Sequence, residues 1–124
     1  MSRLYDSHCH LDAPEFDADR AAVMAAARAA GVAGIVVPAY VAARWDSLLT
    51  LCRSHHHMTP EAPRLWPALG LHPVHLAAHA DADLTRLESL LAAAPDVVAV
   101  GEIGLDYYLE HLDRDAQHAL FVAA

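Results

Sequence analysis

Cysteine is scarce in this chain of 124 residues, which has two in all, Cys9 and Cys52. A disulfide framework of the kind that staples small secreted domains is therefore not expected. Basic residues are also few: eight Lys and Arg stand against sixteen Asp and Glu, for a formal net charge of −8. That balance excludes broad electrostatic capture of nucleic acid, which needs clustered cations to displace counterions. An anionic substrate would have to be attracted by metal ions instead. No apolar run approaches the roughly 20 residues of a membrane span, and the N-terminus has neither the basic n-region nor the apolar h-region of a secretion signal. No membrane partner and a cytoplasmic location are expected. Low-complexity linkers and charge runs are missing too. What is abundant is apolar: 56% of the residues are hydrophobic and the mean hydropathy is +0.22, in a chain long enough for one domain with one core.

The hydrophobic pattern has a supersecondary rhythm. Arg3–Ser7 reads as a short strand. An Ala-rich helical pattern follows from Asp19 to Ala30, with Gly31 where a helix-terminating glycine belongs. Gly34–Pro38 is a continuous apolar run of the kind buried on both faces of a parallel sheet. Ala42–His55 is helical, with Trp45, Leu48, Leu49 and Cys52 at core spacing. After a polar, proline-containing loop, Leu65–Leu71 forms an irregular third strand ending at His72-Pro73. Asp81–Ala94 is a third helix with an apolar stripe of Leu84, Leu87, Leu90 and Leu91 and an Asp cluster suited to capping. Val97–Gly101 is a fourth strand ending at Glu102, and Asp113 opens a fourth helix.

Four strand–helix units of about 30 residues predict α/β architecture with a parallel sheet, either doubly wound or a barrel. The barrel is favoured because His8, His10, His72 and Glu102 all fall at strand C-terminal ends, where barrel enzymes place their chemistry. A (β/α)8 TIM barrel needs about 250 residues. The expectation is thus that residues 1–124 are the N-terminal half of a single barrel domain, about its first four β/α units, in a truncated chain.

The stretch Asp6-Ser7-His8-Cys9-His10-Leu11-Asp12 carries the most chemistry. Alternation along a strand points His8 and His10 to one face with Cα atoms about 7 Å apart and turns Cys9 away. Two neutral imidazoles converging in this way can bind one divalent ion, and Asp6 and Asp12 could orient an imidazole N–H or bridge a second ion. Two imidazoles and a carboxylate suit Zn, Mn or similar ions, and a bridging carboxylate can hold two of them about 3.5–4 Å apart.

Three segments, Asp6-Ser-His-Cys-His-Leu-Asp12, Gly70-Leu-His-Pro73 and Gly101-Glu-Ile-Gly-Leu-Asp-Tyr107, resemble the N-terminal signatures of TatD-type metal-dependent deoxyribonucleases. Phe16-Asp17-x-Asp19, Ala30-Gly31-Val32 and Gln117-x-x-x-Phe121 add to the likeness, which spans essentially the whole chain. The resemblance implies a metal-binding TIM barrel that hydrolyses phosphodiester bonds of DNA, often from 3′ to 5′, by a water activated by two divalent metal ions (Zn, Mn, Mg or similar). Some relatives deacylate mischarged tRNA. It further implies that His8 and His10 are metal ligands, that Glu102 is a metal-bridging and catalytic carboxylate, and that His72 contacts the substrate phosphate. Asp106 and Tyr107 match positions beside the site with structural roles. Two further His ligands and an Asp would lie beyond Ala124.

Other polar residues take plainer readings. His55-His56-His57 ends a helix, where consecutive side chains share no face and cations suit the C-terminus. His75 and His79 read as loop residues within reach of the site, and His111 and His118 as surface. Two other functions remain open: another amidohydrolase-type barrel hydrolase, which commonly has a carboxylated Lys where this chain has Glu102, or a non-catalytic half-barrel that pairs with itself or a complementary chain.

Overall fold

A computed structural model describes residues 2–124. Four strands and four α-helices alternate along it: β1 (Leu4–Asp6), α1 (Arg20–Ala29), β2 (Val32–Pro38), α2 (Trp45–Ser54), β3 (Arg64–Leu69), α3 (Asp81–Ala93), β4 (Ala99–Val100) and α4 (Arg114–Ala123). This is the repeating unit of a (β/α)8 barrel, four times over. The residues group into two compact units, Met1–Pro38 with Asp46–Pro67, and Ala39–Trp45 with Ala68–Ala124. Among the described residues no helix is long and apolar enough to cross a membrane.

In the first unit β1 runs parallel to β2, with Tyr5 opposite Gly34 and Asp6 opposite Ile35. The apolar run of β2 is buried as expected, at Ala33, Ile35 and Val37. A Cβ on Gly34 would lie 2.9 Å from Trp66 Nε1 and 3.1 Å from the Tyr5 ring, so those side chains would have to shift to admit one. Helix α1 ends where the sequence says it should: Gly31 takes φ 99°, a left-handed turn that side chains resist. Leu48, Leu49 and Cys52 of α2 are buried. His55 and His56 each turn Nδ1–H onto a carbonyl of the last helical turn, of Leu51 at 3.2 Å and Arg53 at 2.7 Å, satisfying acceptors that a helix end leaves orphaned.

In the second unit the end of β3 pairs parallel with β4, Ala68 opposite Ala99 and Leu69 opposite Val100. The Asp83 carboxylate accepts from Ala80 N–H at 2.8 Å at the start of α3, and Asp113 accepts from Ala116 N–H at 2.9 Å at the start of α4. Both acidic caps follow the sequence reading. Of the α3 stripe only Leu87 is fully buried; Leu84, Leu90 and Leu91 are half-buried.

Several boundaries differ from expectation. Strand β4 is two residues long where five were expected, since it has β3 as its one strand neighbour and Val98 is 47% exposed. The first turn of the second helix is 3-10, over Ala42–Arg44. Another 3-10 segment, Pro73–Ala78, follows β3, where Pro73 supplies the fixed φ that opens a helix without needing an N–H donor. Strand β1 stops at Asp6, so His8 and His10 stand on the loop after it, not within it.

Candidate functional site

The loop after β1 keeps its extended course for one more bond, Cys9 N–H to Val36 O at 3.1 Å, before turning through Leu11 N–H to Cys9 O. That single bond preserves the alternation. His8 and His10 project together, with Nε2 atoms 3.2 Å apart and rings edge-on at 87°. The Asp6 carboxylate accepts the His8 backbone N–H at 3.0 Å and so fixes the turn. Arg20 holds the far side, donating to Leu11 O at 2.7 Å and Ala13 O at 3.1 Å while paired with Asp17 at 2.7 Å. Nothing in the sequence pattern marks Arg20 for this task beyond its position at the start of α1.

The His10 tautomer follows from its neighbour. Its Nδ1 lies 3.0 Å from the Pro38 carbonyl oxygen, which can only accept, so Nδ1 carries the proton and Nε2 the lone pair. Two nitrogens bound to one tetrahedral Zn at about 2.0–2.1 Å stand about 3.3 Å apart. The observed 3.2 Å matches that spacing, and it is also that of a hydrogen bond in which His8 Nε2–H donates to His10 Nε2. A carbonyl held on the remote nitrogen is the usual support for a metal-binding imidazole. Cys9, between them, is half-buried, and burial, followed by Asp6 and Asp12, pushes its thiol pKa up. It stays a protonated wall residue, as its direction on the strand predicts.

In the second unit His72 and Glu102 hang from neighbouring carbonyls. His72 N–H donates to Tyr40 O at 2.9 Å and Glu102 N–H to Ala39 O at 2.7 Å, while Gly101 N–H bonds Leu69 O at 2.8 Å. The Gly101–Glu102 peptide bond is cis. Gly70, in the Gly-Leu-His-Pro segment, is bare because the backbone of Gly101 and Glu102 passes against it. His72 Nε2 and Glu102 Oε1 are 3.6 Å apart, both side chains largely covered. His72 Nδ1 accepts Val74 N–H at 3.0 Å. A neutral imidazole has one proton, so here it sits on Nε2, aimed towards the Glu102 carboxylate.

His75 and His79 are more engaged than loop residues would be. His79 Nε2–H donates to the His72 carbonyl at 2.7 Å, bracing the residue it follows. His75 packs against the Tyr40 ring with centroids 4.9 Å apart, and burial, then the neighbouring His72 and His79, hold its pKa below the usual histidine value. His111 and His118 are exposed, as read.

Sequence reasoning undervalued Gln117. It is fully buried, donates to Asp106 O and accepts from Asp106 N–H, both at 2.9 Å. This two-pronged clamp ties the loop after Glu102 to α4, and Arg114 stacks 4.7 Å over Tyr107 beside it. Its sequence signals are its place in the Gln117-x-x-x-Phe121 likeness and a polar residue on an otherwise apolar helix face. Gln117→Leu keeps the volume but strands two backbone groups. It should cost about 1–3 kcal/mol, visible as a lower urea midpoint, whereas Gln117→Glu should retain the bond from Asp106 N–H.

Comparison with known proteins agrees with these local motifs. The sequence model of the family described as TatD related DNase matches residues 5–124. The uncharacterized metal-dependent hydrolase YjjV of Escherichia coli is 42% identical over 109 residues, covering 87% of this chain and 39% of that protein. The 3′-5′ ssDNA/RNA exonuclease TatD of Enterobacter lignolyticus is 32% identical over 120 residues, covering 97% and 43%. The crystal structure of E. coli YjjV, a TatD homologue, superposes with a TM-score of 0.87 at 38% identity, over 98% of this chain and 44% of that one. The chain thus spans less than half the length of the relatives it matches. With the H-x-H loop, the Gly-Leu-His-Pro turn and the Gly-Glu-Ile-Gly-Leu-Asp segment all inside the matched region, the chain belongs to the TatD related DNase family.

Proposed function

We propose that this chain supplies metal ligands and a phosphate-holding histidine to a metal-dependent phosphodiesterase acting on DNA, with two divalent ions (Zn, Mn, Mg or similar) as cofactors. The observation that carries the reading is the His8–His10 nitrogen pair at 3.2 Å with the His10 lone pair fixed on Nε2. His8 and His10 act as ligands, and Glu102 as the bridging and catalytic carboxylate. When bound, divalent ions supply water activation near neutral pH and charge neutralisation at the phosphoryl oxygens. Glu102 Oε1 lies 3.6 Å from His72 Nε2, and its carboxylate would hold a cation or take a proton from the attacking water. His72 donates: with Nδ1 occupied by Val74 N–H, its Nε2–H suits a phosphate oxygen, and turning Nε2 into a ligand would give up the Val74 bond. A net charge of −8 leaves such a cationic pit as the means of drawing in a nucleic-acid end. The exonuclease name of the Enterobacter relative supports a single-stranded substrate.

The test is cleavage of a labelled single-stranded oligonucleotide with and without Mn or Zn by the protein that contains this chain; absence of metal-dependent cleavage removes the reading. Within it, His72→Ala should weaken substrate binding about 10–100-fold, the loss of one hydrogen bond to a charged group, while metal content measured by mass spectrometry stays constant. A parallel fall in metal content would make His72 a ligand.

A further inference from the structure

At the end of β1 remote from His8, the N-terminal ends of β1, β2 and β3 surround a cavity of 220 Å³ in the first unit. Its polar walls are Arg3, His57 and Arg64, and its apolar walls include Tyr5, Met58 and Trp66. Among the described residues no carboxylate lines it, in a chain with sixteen of them. Arg64 is the anchor. Its guanidinium carbon lies 3.3 Å from the centroid of the Trp66 ring, a stack that sets the plane of the cation. Its Nε is buried and has no hydrogen-bond acceptor among the described residues. That nitrogen is covered by protein, which leaves the terminal Nη groups of Arg64 as the donors a ligand in the cavity can meet. Trp66 and Tyr5 both lie over Gly34, where an added Cβ would come within 2.9 and 3.1 Å of them.

We propose that this cavity binds a phosphate dianion, either inorganic phosphate or the phosphate of a small monoester. Two guanidiniums match two negative charges, and the flat fork of an arginine pairs with two oxygens of one phosphate at once. The volume is below the range of about 300–1,000 Å³ typical of larger ligands, which limits the ligand to a phosphate carrying little more than one ring. The site is independent of the proposed metal ligands.

The experiment is isothermal titration calorimetry of the metal-stripped full protein with sodium phosphate and with ribose 5-phosphate, a one-ring monophosphate, so that metal chemistry plays no part in the signal. Saturable binding of at least one ligand is expected, weakened at least ten-fold by Arg64→Gln and several-fold by Arg3→Gln. Tighter binding of the monophosphate would identify a monoester as the ligand, and equal binding would identify the phosphate group itself. No saturable heat with either ligand, or affinities unchanged in variants whose circular dichroism is native, overturns the proposal. If Arg64→Gln does not fold, the Arg3→Gln titration decides.

Discussion

Replacing His8 and His10 together by Ala should strip divalent metal from the protein and reduce metal-dependent hydrolysis by more than about 10²-fold, since altering even the supports of metal ligands costs 10–100-fold. The expectation rests on a narrow geometric fact: the two Nε2 atoms are already at the spacing of two ligands on one ion, and the Pro38 carbonyl has fixed which His10 nitrogen carries the lone pair. Folding should survive, because His8 is exposed and His10 half-buried, and neither belongs to the core. Metal stoichiometry after dialysis, read beside circular dichroism, checks it. Bound metal and activity both persisting in a folded double variant would rule the pair out as the clamp.

Much of that geometry is legible in the sequence alone. Alternation of side chains predicted that His8 and His10 would share a face, and they do, although β1 ends at Asp6. One backbone bond from Cys9 to Val36 carries the pleat three residues past the strand. Apolar runs and capping residues located all four helices, because helix periodicity and acidic caps are local signals. What escaped was tertiary. The brevity of β4 follows from having one neighbouring strand, and the bracing of His72 by His79 depends on how a 3-10 turn folds back. Gln117 looked like a family mark and proved to be a buried clamp, since a polar residue's partner eleven positions away leaves no trace in periodicity.

Gly70→Ala is the second change with a large expected effect. A Cβ at this position would stand 2.6 Å from the Gly101 carbonyl carbon and 2.9 Å from that of Glu102. Those atoms belong to backbone that cannot move freely, tied by Gly101 N–H to Leu69 O and Glu102 N–H to Ala39 O. Something must shift by about 1 Å, and overpacking of this kind costs about 1–3 kcal/mol. The shift falls on the residue proposed as the bridging carboxylate, where a displacement of about 1 Å can cost about 10²-fold in rate. Gly101→Ala is the matched control, because its added Cβ would meet only Ala68 Cβ at 4.0 Å. Gly70→Ala should lower the urea midpoint and Gly101→Ala should barely move it. Equal losses in the two variants would mean that close approach is not what keeps Gly70 bare.

The strand order has a consequence for how the chain is made. Each strand pairs with the one before it in the sequence, Leu4 facing Val32 and Ala68 facing Ala99, so no strand waits for a distant partner. A ribosome adding about 5–20 residues per second delivers one such unit of about 30 residues every 1.5–6 s or so. That interval far exceeds the microseconds a helix needs to form, so each unit can dock on its predecessor before the next appears. The growing sheet then carries a single leading edge, renewed by every strand, and the time that edge stays open to another chain is set by translation and not by folding.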